Sequence, residues 1–306
     1  MTRRKPATVH GLAVVDKAAG WTSHDVVAKA RGILGERRIG HSGTLDPDAT
    51  GVLLLGVGSV TRLLRFLTAL PKSYTAEVVL GVATTTLDAS GEVVGRWDLS
   101  GVTPADVRAA AAGVTGEIDQ VPPMVSAVQV GGRRLYELAR EGAEVERAAR
   151  RVVVRRFDVD EGPEPGVFRV TVECSSGTYV RSLAADLGAA LGGGAHLRAL
   201  RRTAIGPFTT DTAVPLDSVG PADVLAPVQA VAHLRRVVID AGTAGAVAHG
   251  AVLARRALGL VTEGVGEPEV PDDGPWAVVD AEDNLLAVYE ARPDGRIKPS
   301  VVLASR

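Results

Sequence analysis

The sequence predicts a mixed α+β domain with many antiparallel strands over its first 230 or so residues, followed by a small β-rich appendage. Short runs of alternating hydrophobicity such as GVFRVTVEC are set between Gly-, Ser- and Pro-rich turns, the pattern of half-buried strands. A few capped amphipathic segments, among them TSHDVVAKARGIL and TPADVRAAAAGV, lie between those runs and read as helices. No self-similarity at a solenoid period is present, and 46% hydrophobic with 23% charged residues is the composition of a globular chain with a sizeable core.

Taken in order, GLAVVDK is a short strand ending in a charged turn, and Ser23 is the expected N-cap of the first helix. A basic GERRIGHSG leads into the loop GTLDPDATG and the apolar run VLLLGV. SYTAEVVLGVATTTLDASGEVVGRW reads as two strands around a turn containing Ser90 and Gly91, and Thr103 caps the next helix. From residue 125 the pattern is strand, Gly131-Gly132 turn, short helix and strand, with eight arginines between residues 131 and 156. An alternating strand, a Ser-Ser-Gly turn and a helix starting near Thr178 come next, then the basic element AHLRALRRTAIGPF. Residues 209–232 hold few periodic positions, which places a domain boundary there: 1–232, then 233–306. HLRRVVID, GPWAVVD and NLLAVYEA are β-like runs around the acidic loop TEGVGEPEVPDDG.

No apolar run is long enough to span a bilayer, and the basic N-terminus is succeeded by only a brief apolar stretch closed by Asp16, so neither a membrane segment nor a signal peptide is expected. A cytoplasmic protein is the expectation. The single cysteine, Cys174, excludes an internal disulfide and a Cys-rich zinc site, and the histidines show no ligand spacing. The net charge of −2 conceals an asymmetry. Residues 1–72 carry 11 Lys and Arg against 5 Asp and Glu, whereas residues 257–306 carry 4 against 10. That distribution fits a molecule of which one part meets a polyanion; on charge alone it equally fits two ordinary solvated surfaces.

The loop GTLDPDATG poses the sharpest question, because two aspartates stand directly before an apolar run. A carboxylate entering a buried element must be hydrogen-bonded, paired with a cation or used in chemistry. The loop lacks the ordered Lys and Ser/Thr of a P-loop, and no Rossmann fingerprint is present. Pro47 biases Asp46 away from helical backbone, and Asp48 is placed to cap the element starting at ATGVLLL. Local physics alone favours two capping aspartates.

Longer motifs change that balance. GHSGTLDPDATGVLLLGVGSVTRLL, PKSYTAEVVLG, VPPMVSAVQVGGRRLYELAREG, SSGTYVRSLAADLG and AHLRALRRTAIGPF occur in this order, and together they resemble the TruB family of tRNA pseudouridine synthases across residues 10–208. The resemblance implies the pseudouridine synthase fold, a large mostly antiparallel mixed sheet flanked by helices with the cleft across its middle, and a C-terminal PUA-like domain. It implies isomerisation of uridine 55 in the T-loop of tRNA. The base is flipped out, its glycosidic bond is cleaved and a C–C bond is made without cofactor or metal, by a protein that is a monomer by family default.

On the same resemblance Asp46 is the catalytic carboxylate, acting on carbon or on the 2' proton, and Arg181 is the cation that pairs with it. Tyr74 stacks on the base or takes a proton, Tyr179 and Leu200 line the base site, and His41 stands near the flipped bases. Lys17, Arg37, Arg38, Lys72, Arg133, Arg134, Arg150, Arg151, Arg198, Arg201 and Arg202 are candidates for phosphate contacts, and residues 123–150 resemble a mobile flap. Three positions depart from the family pattern: Ala18 where a proline is usual, Gln129 where a lysine is usual, and Val125 where an aromatic residue is common. Two other readings are a tRNA-binding chaperone that needs no catalysis and the same chemistry on another RNA. The set of Asp46, Tyr74 and Arg181 favours the enzyme.

Overall fold

The structure, a computed structural model of the chain, describes residues 9–126, 128–143, 145–260 and 273–303. It opens with β1 (Gly11–Lys17), α1 (Ser23–Ile33), β2 (Ile39–Ser42) and β3 (Thr50–Val57). α1 is capped one residue earlier than expected. Thr22 accepts from the Asp25 N–H while the Asp25 carboxylate accepts from the Thr22 N–H, a reciprocal box for which Ser23 has no acid three residues on. Asp48 caps nothing either, since the element after it is a strand and its side chain is exposed.

The unbroken apolar run is explained by β3 being buried on both faces. Val52 and Leu54 pack with Leu12 and Val14 of β1, whereas Leu53 and Leu55 pack with Val15 and with Val26 and Ala30 of α1. β3 stops at Gly58, whose φ of +61° puts the backbone where a Cβ would lie 2.3 Å from the Val9 carbonyl oxygen. A 3-10 turn (Gly58–Leu63) and α2 (Leu64–Thr68) come next; the apolar pattern does not separate them from the strand.

β4 (Lys72–Leu80) leads to the hairpin of β5 (Val82–Thr84) and β6 (Val93–Arg96), whose turn contains Ser90 and Gly91. α3 (Pro104–Gly113) carries the expected Thr103 cap, completed by Asp106. After β7 (Gly116–Gln120) come β8 (Gln129–Val130) and β9 (Arg133–Arg134) around the Gly131-Gly132 turn, then α4 (Leu135–Arg140), β10 (Arg150–Glu161) and β11 (Val167–Cys174). α5 (Val180–Ala190), β12 (Ala195–Ile205), β13 (Phe208–Thr209), β14 (Val214–Pro215) and β15 (Val224–Leu225) complete this part.

These strands form one large sheet in the order β14-β1-β3-β12-β4-β11-β10-β7, with β2 on β3, β13 on β12 and β15 on β1. Pairing is antiparallel except for β14 on β1 and β12 on β3. The β12–β3 pair is only two residues long, Arg201 opposite Thr50 and Arg202 opposite Gly51, and it joins the two antiparallel halves. Gly51 is required at that seam: its φ is +101°, and a Cβ there would lie 2.1 Å from the Arg202 carbonyl oxygen. Residues 209–232, where the sequence shows few periodic positions, supply β14 and β15, both of which pair with β1.

The C-terminal part is a five-stranded sheet built from β16 (Arg235–Val238), β17 (Leu253–Ala254), β18 (Trp276–Val279), β19 (Leu285–Ala291) and β20 (Arg296–Val302), in the order β16-β18-β19-β20-β17. The three expected β-like runs are β16, β18 and β19. α6 (Ala241–Ala248) was not expected: AGTAGAVA buries only Val247, so it has no apolar stripe to read, and Asp240 caps it through the Thr243 N–H. Residues 261–272 of the acidic loop lie outside the described residues. The cluster around Leu12 and Leu54 continues into Ala277, Val279, Leu285 and Val288, so the two sheets share a core. No helix among the described residues is long and apolar enough to cross a membrane.

Candidate active site

The loop of residues 43–49 sits at the seam between β3 and β12 and is held almost entirely through main-chain atoms. The Arg202 guanidinium, 1% exposed, donates to the carbonyls of Val52 at 2.7 Å, Gly43 at 3.0 Å and Thr44 at 3.4 Å. The Ser23 hydroxyl accepts from the Leu45 N–H at 2.9 Å and lies 3.3 Å from its carbonyl oxygen. Lys17 donates to the carbonyls of Ala18, Trp21 and Pro47 at 3.0, 2.7 and 2.8 Å. All three of its N–H bonds are taken and the side chain is fully buried, so the expected phosphate contact is not open to it. Burial pushes the Lys17 amine down to about 8, against a pull upward from Asp48 and Asp46.

What the loop presents is Asp46. Arg181, in the first turn of α5, meets it side-on with Nε 3.1 Å from Oδ2 and Nη2 3.3 Å from Oδ1. The guanidinium side chain is 6% exposed and the aspartate side chain 40%. The remaining donors of Arg181 reach the Thr86 carbonyl at 3.0 Å and the Val125 carbonyl at 2.7 Å, and Nη1 lies 3.4 Å from a second carboxylate, Asp88. Burial pushes the Asp46 carboxyl above its ordinary value. Arg181 and Lys17 pull it down, and Asp88 and Asp48 push it further up. Burial outweighs the pairing, and the Arg181 guanidinium that opposes it is shared with Asp88.

A cavity of about 270 Å³ opens beside this pair, lined by Asp46, Lys72, Tyr74, Ser126, Tyr179, Arg181 and Leu200 among others. A second one, about 370 Å³, lies against Asp46, Asp88, Arg181, Arg198 and Leu200. Tyr74 stands on β4, directly across from Arg202 on β12, and is 8% exposed. Burial raises its phenol above the ordinary range. The Gln120 side-chain amide fixes Tyr179 at the head of α5 by donating to its carbonyl at 3.1 Å and accepting from its N–H at 2.7 Å. Lys72, which lines the cavity, is buried and donates to the carbonyls of Thr68 and Leu70, and burial lowers its amine to about 8.

His41 stands apart from the residues that line the cavity with Asp46, in edge contact with His24 at 5.2 Å between ring centroids. Burial, with His24 and Arg202 nearby, lowers it to about 4, so its ring is neutral at physiological pH, and Nδ1 is sealed without a hydrogen-bond partner among the described residues. Of the expected phosphate contacts, Arg202 is committed to the loop. Arg133 pairs with Glu141, Arg151 with Asp119 and Glu117, Arg198 with Glu77 and Glu164, and Arg201 with Asp16. Arg37 and Arg38 are exposed near the start of β2, and the Arg134 side chain lies outside the described residues. No group of three or more His, Cys, Asp or Glu placed to hold a metal occurs among the described residues.

Asp88 and Gln120 were not among the residues singled out by sequence. Asp88 looks like a turn aspartate, and it is one: its Oδ1 accepts from the Thr86 and Ser90 hydroxyls and the Ser90 N–H, leaving Oδ2 to face Arg181. The strand alternation of Arg201 and Arg202 was the available signal that one of the two points inward.

Residues 31–180 match the family described as TruB family pseudouridylate synthase (N terminal domain), and residues 181–244 match the tRNA pseudouridylate synthase B C-terminal domain. The chain is 46% identical over 303 residues to tRNA pseudouridine synthase B of Arthrobacter sp. (strain FB24), with 96% of each chain covered. It is 47% identical over 308 residues to the protein of the same name from Nocardia farcinica (strain IFM 10152), covering 99% of this chain and 96% of that one. Among solved structures, it superposes on a chain of a Cbf5-Nop10-Gar1 complex with a TM-score of 0.71 and 29% identity, covering 97% of this chain and 84% of the other. A chain of an H/ACA RNP bound to a substrate RNA containing 2'-deoxyuridine gives 0.70 and 27%, covering 97% and 86%.

Proposed function

The chain belongs to the TruB family of pseudouridylate synthases, and from that premise we propose that it isomerises uridine 55 in the T-loop of tRNA, with Asp46 as the reacting carboxylate. The observation that carries this reading is the clamped Asp46–Arg181 pair on the wall of a cavity that also offers Tyr74, Tyr179 and Leu200.

The reaction breaks the C1'–N1 bond, turns the uracil in place and makes a C1'–C5 bond; one proton leaves C5 and N1 gains one, so atoms and electrons balance within the nucleotide. A base stacked in an RNA loop has to be extruded before this chemistry reaches it. The uracil and the C1' of its ribose both have to reach the Asp46 side of this cavity. Leu200 and the Tyr74 ring supply apolar surface for the heterocycle while Arg181 holds the carboxylate oriented and ionised. Attack on carbon and removal of the 2' proton both need that ionised carboxylate. The acidic residues that pair with Arg133, Arg151, Arg198 and Arg201 in the free protein are exposed or half-exposed, and RNA phosphates would compete for the same guanidinium groups.

The test is an unmodified tRNA transcript incubated with the protein and mapped for pseudouridine at every uridine. Conversion confined to position 55 is expected. Tight binding with every uridine unconverted would hand the function to the chaperone reading.

The pH dependence is set by the direction of the Asp46 shift. The ionised form is the active one and the folded protein holds the proton more tightly than an ordinary aspartate of 3.8, so activity on the acid side falls at a higher pH than such a group would give. Single-turnover rates should drop about tenfold per pH unit below that point. A rate that stays flat down to the ordinary aspartate range would contradict the assignment.

A further inference from the structure

Three contacts fix the segment after β7 against α5. Gln120 holds both main-chain groups of Tyr179, the Ser182 hydroxyl donates to the Val121 carbonyl at 3.4 Å, and Arg181 donates to the Val125 carbonyl at 2.7 Å. Pro122 and Pro123 add two fixed φ angles, and Arg147 donates to the Pro122 carbonyl at 3.1 Å. Ser126 comes directly after this anchored stretch. It lines the cavity beside Asp46, it is 6% exposed, and its hydroxyl oxygen has no hydrogen-bond partner among the described residues.

A hydroxyl removed from water and given nothing in exchange works against the fold. Buried polar groups are so regularly paired that an exception at a functional cavity calls for a partner that arrives later. The other strong donors around the cavity are already engaged: Arg181 with two carboxylates and two carbonyls, Arg202 with three carbonyls, Lys72 with two. Among the described residues that line the cavity, Ser126 is the buried donor left over.

We propose that the Ser126 hydroxyl is a substrate contact, donating a hydrogen bond to a ring carbonyl of the uracil that enters the cavity. This rests on the isomerase reading above. A serine side chain moves between three staggered wells, so the oxygen can swing from its sealed position toward a base that has entered the cavity. Because a hydroxyl also accepts hydrogen bonds, the contact positions the base rather than discriminating among bases. It would hold the ring while the base turns from N1 to C5 bonding.

The experiment compares wild type, Ser126→Ala and Ser126→Thr on the unmodified transcript, with kcat and KM measured separately and thermal unfolding followed on the same samples. Ser126→Ala is expected to lower kcat/KM about tenfold, the scale of one neutral hydrogen bond, while its unfolding midpoint stays level or rises because an unpaired buried hydroxyl has gone. Ser126→Thr restores a hydroxyl and should recover part of the loss. The proposal is overturned if Ser126→Ala keeps kcat/KM within about twofold of wild type. It is overturned equally if that variant unfolds earlier and Thr recovers nothing, which is the signature of a purely structural serine. A wild-type protein that forms no pseudouridine overturns the isomerase reading itself, a result distinct from an active wild type matched by an active alanine variant.

Discussion

Asp46→Asn is expected to bind tRNA as wild type does and to form pseudouridine at least about 10⁴-fold more slowly, the scale of loss when a directly reacting side chain is removed. Asparagine has nearly the same shape, and Arg181 keeps Asp88 and the carbonyls of Thr86 and Val125, so the site should stay assembled. Stability gives a second, independent reading. The folded Asp46 carboxyl is raised above its unfolded value, so its contribution to stability is fully present only below the unfolded value and is lost as pH rises through the folded one. Above the folded value the ionised group therefore works against the fold, and the neutral amide should unfold no earlier than wild type. Single-turnover conversion and thermal unfolding at pH 7 check both parts. An asparagine variant retaining more than about 1% of the rate would remove Asp46 from the chemistry.

Arg181→Met should damage both activity and stability. The guanidinium is almost fully buried, and removing it leaves Asp46 and Asp88 as neighbouring like charges with two carbonyls unpaired. Breaking a buried pair from one side costs about 3–5 kcal/mol; the lower end applies here because 40% of the Asp46 side chain is accessible to water. The Asp46 carboxyl should rise further, moving the acid limb of any residual activity toward neutrality. Arg181→Lys restores a positive charge, but a single ammonium cannot serve two carboxylates and two carbonyls in one plane. It should recover part of the stability and little of the rate. Urea unfolding and single-turnover rates on the three proteins test this, and a methionine variant with a wild-type midpoint would show that the ion pair contributes nothing to the fold.

What the sequence made legible was local. Thr103 and Asp106 form their capping box within four residues, and the Ser-Ser-Gly turn leads into α5 just where its apolar pattern begins. The one-residue error at α1 was also resolvable locally, because Thr22 has an acid three positions later and Ser23 does not. Asp46, Tyr74, Tyr179, Arg181 and Leu200 line one cavity although they come from four separate segments, and it was the run of long motifs, rather than propensity or spacing, that singled them out. Roles created only by tertiary approach stayed hidden. Lys17 and Arg202 read as surface cations fit for phosphate until the fold brings carbonyl oxygens to them, and nothing in DASG distinguishes Asp88 from any other turn aspartate. α6 lacked an apolar face, so its eight residues carried no period to detect.

The way the 43–49 loop is fastened has a consequence for its evolvability. Arg202, Lys17 and Ser23 grip the peptide groups of Gly43, Thr44, Leu45 and Pro47, which every amino acid shares, so those grips do not depend on which side chains the loop carries. Thr44 and Asp48, both exposed and each lining a cavity beside Asp46, can therefore be varied to tune the surroundings of that carboxylate without loosening those grips. A library randomised at those two positions should return mostly folded proteins with Asp46 in register, whereas the same diversity spent on Lys17 or Arg202 would erase the template itself.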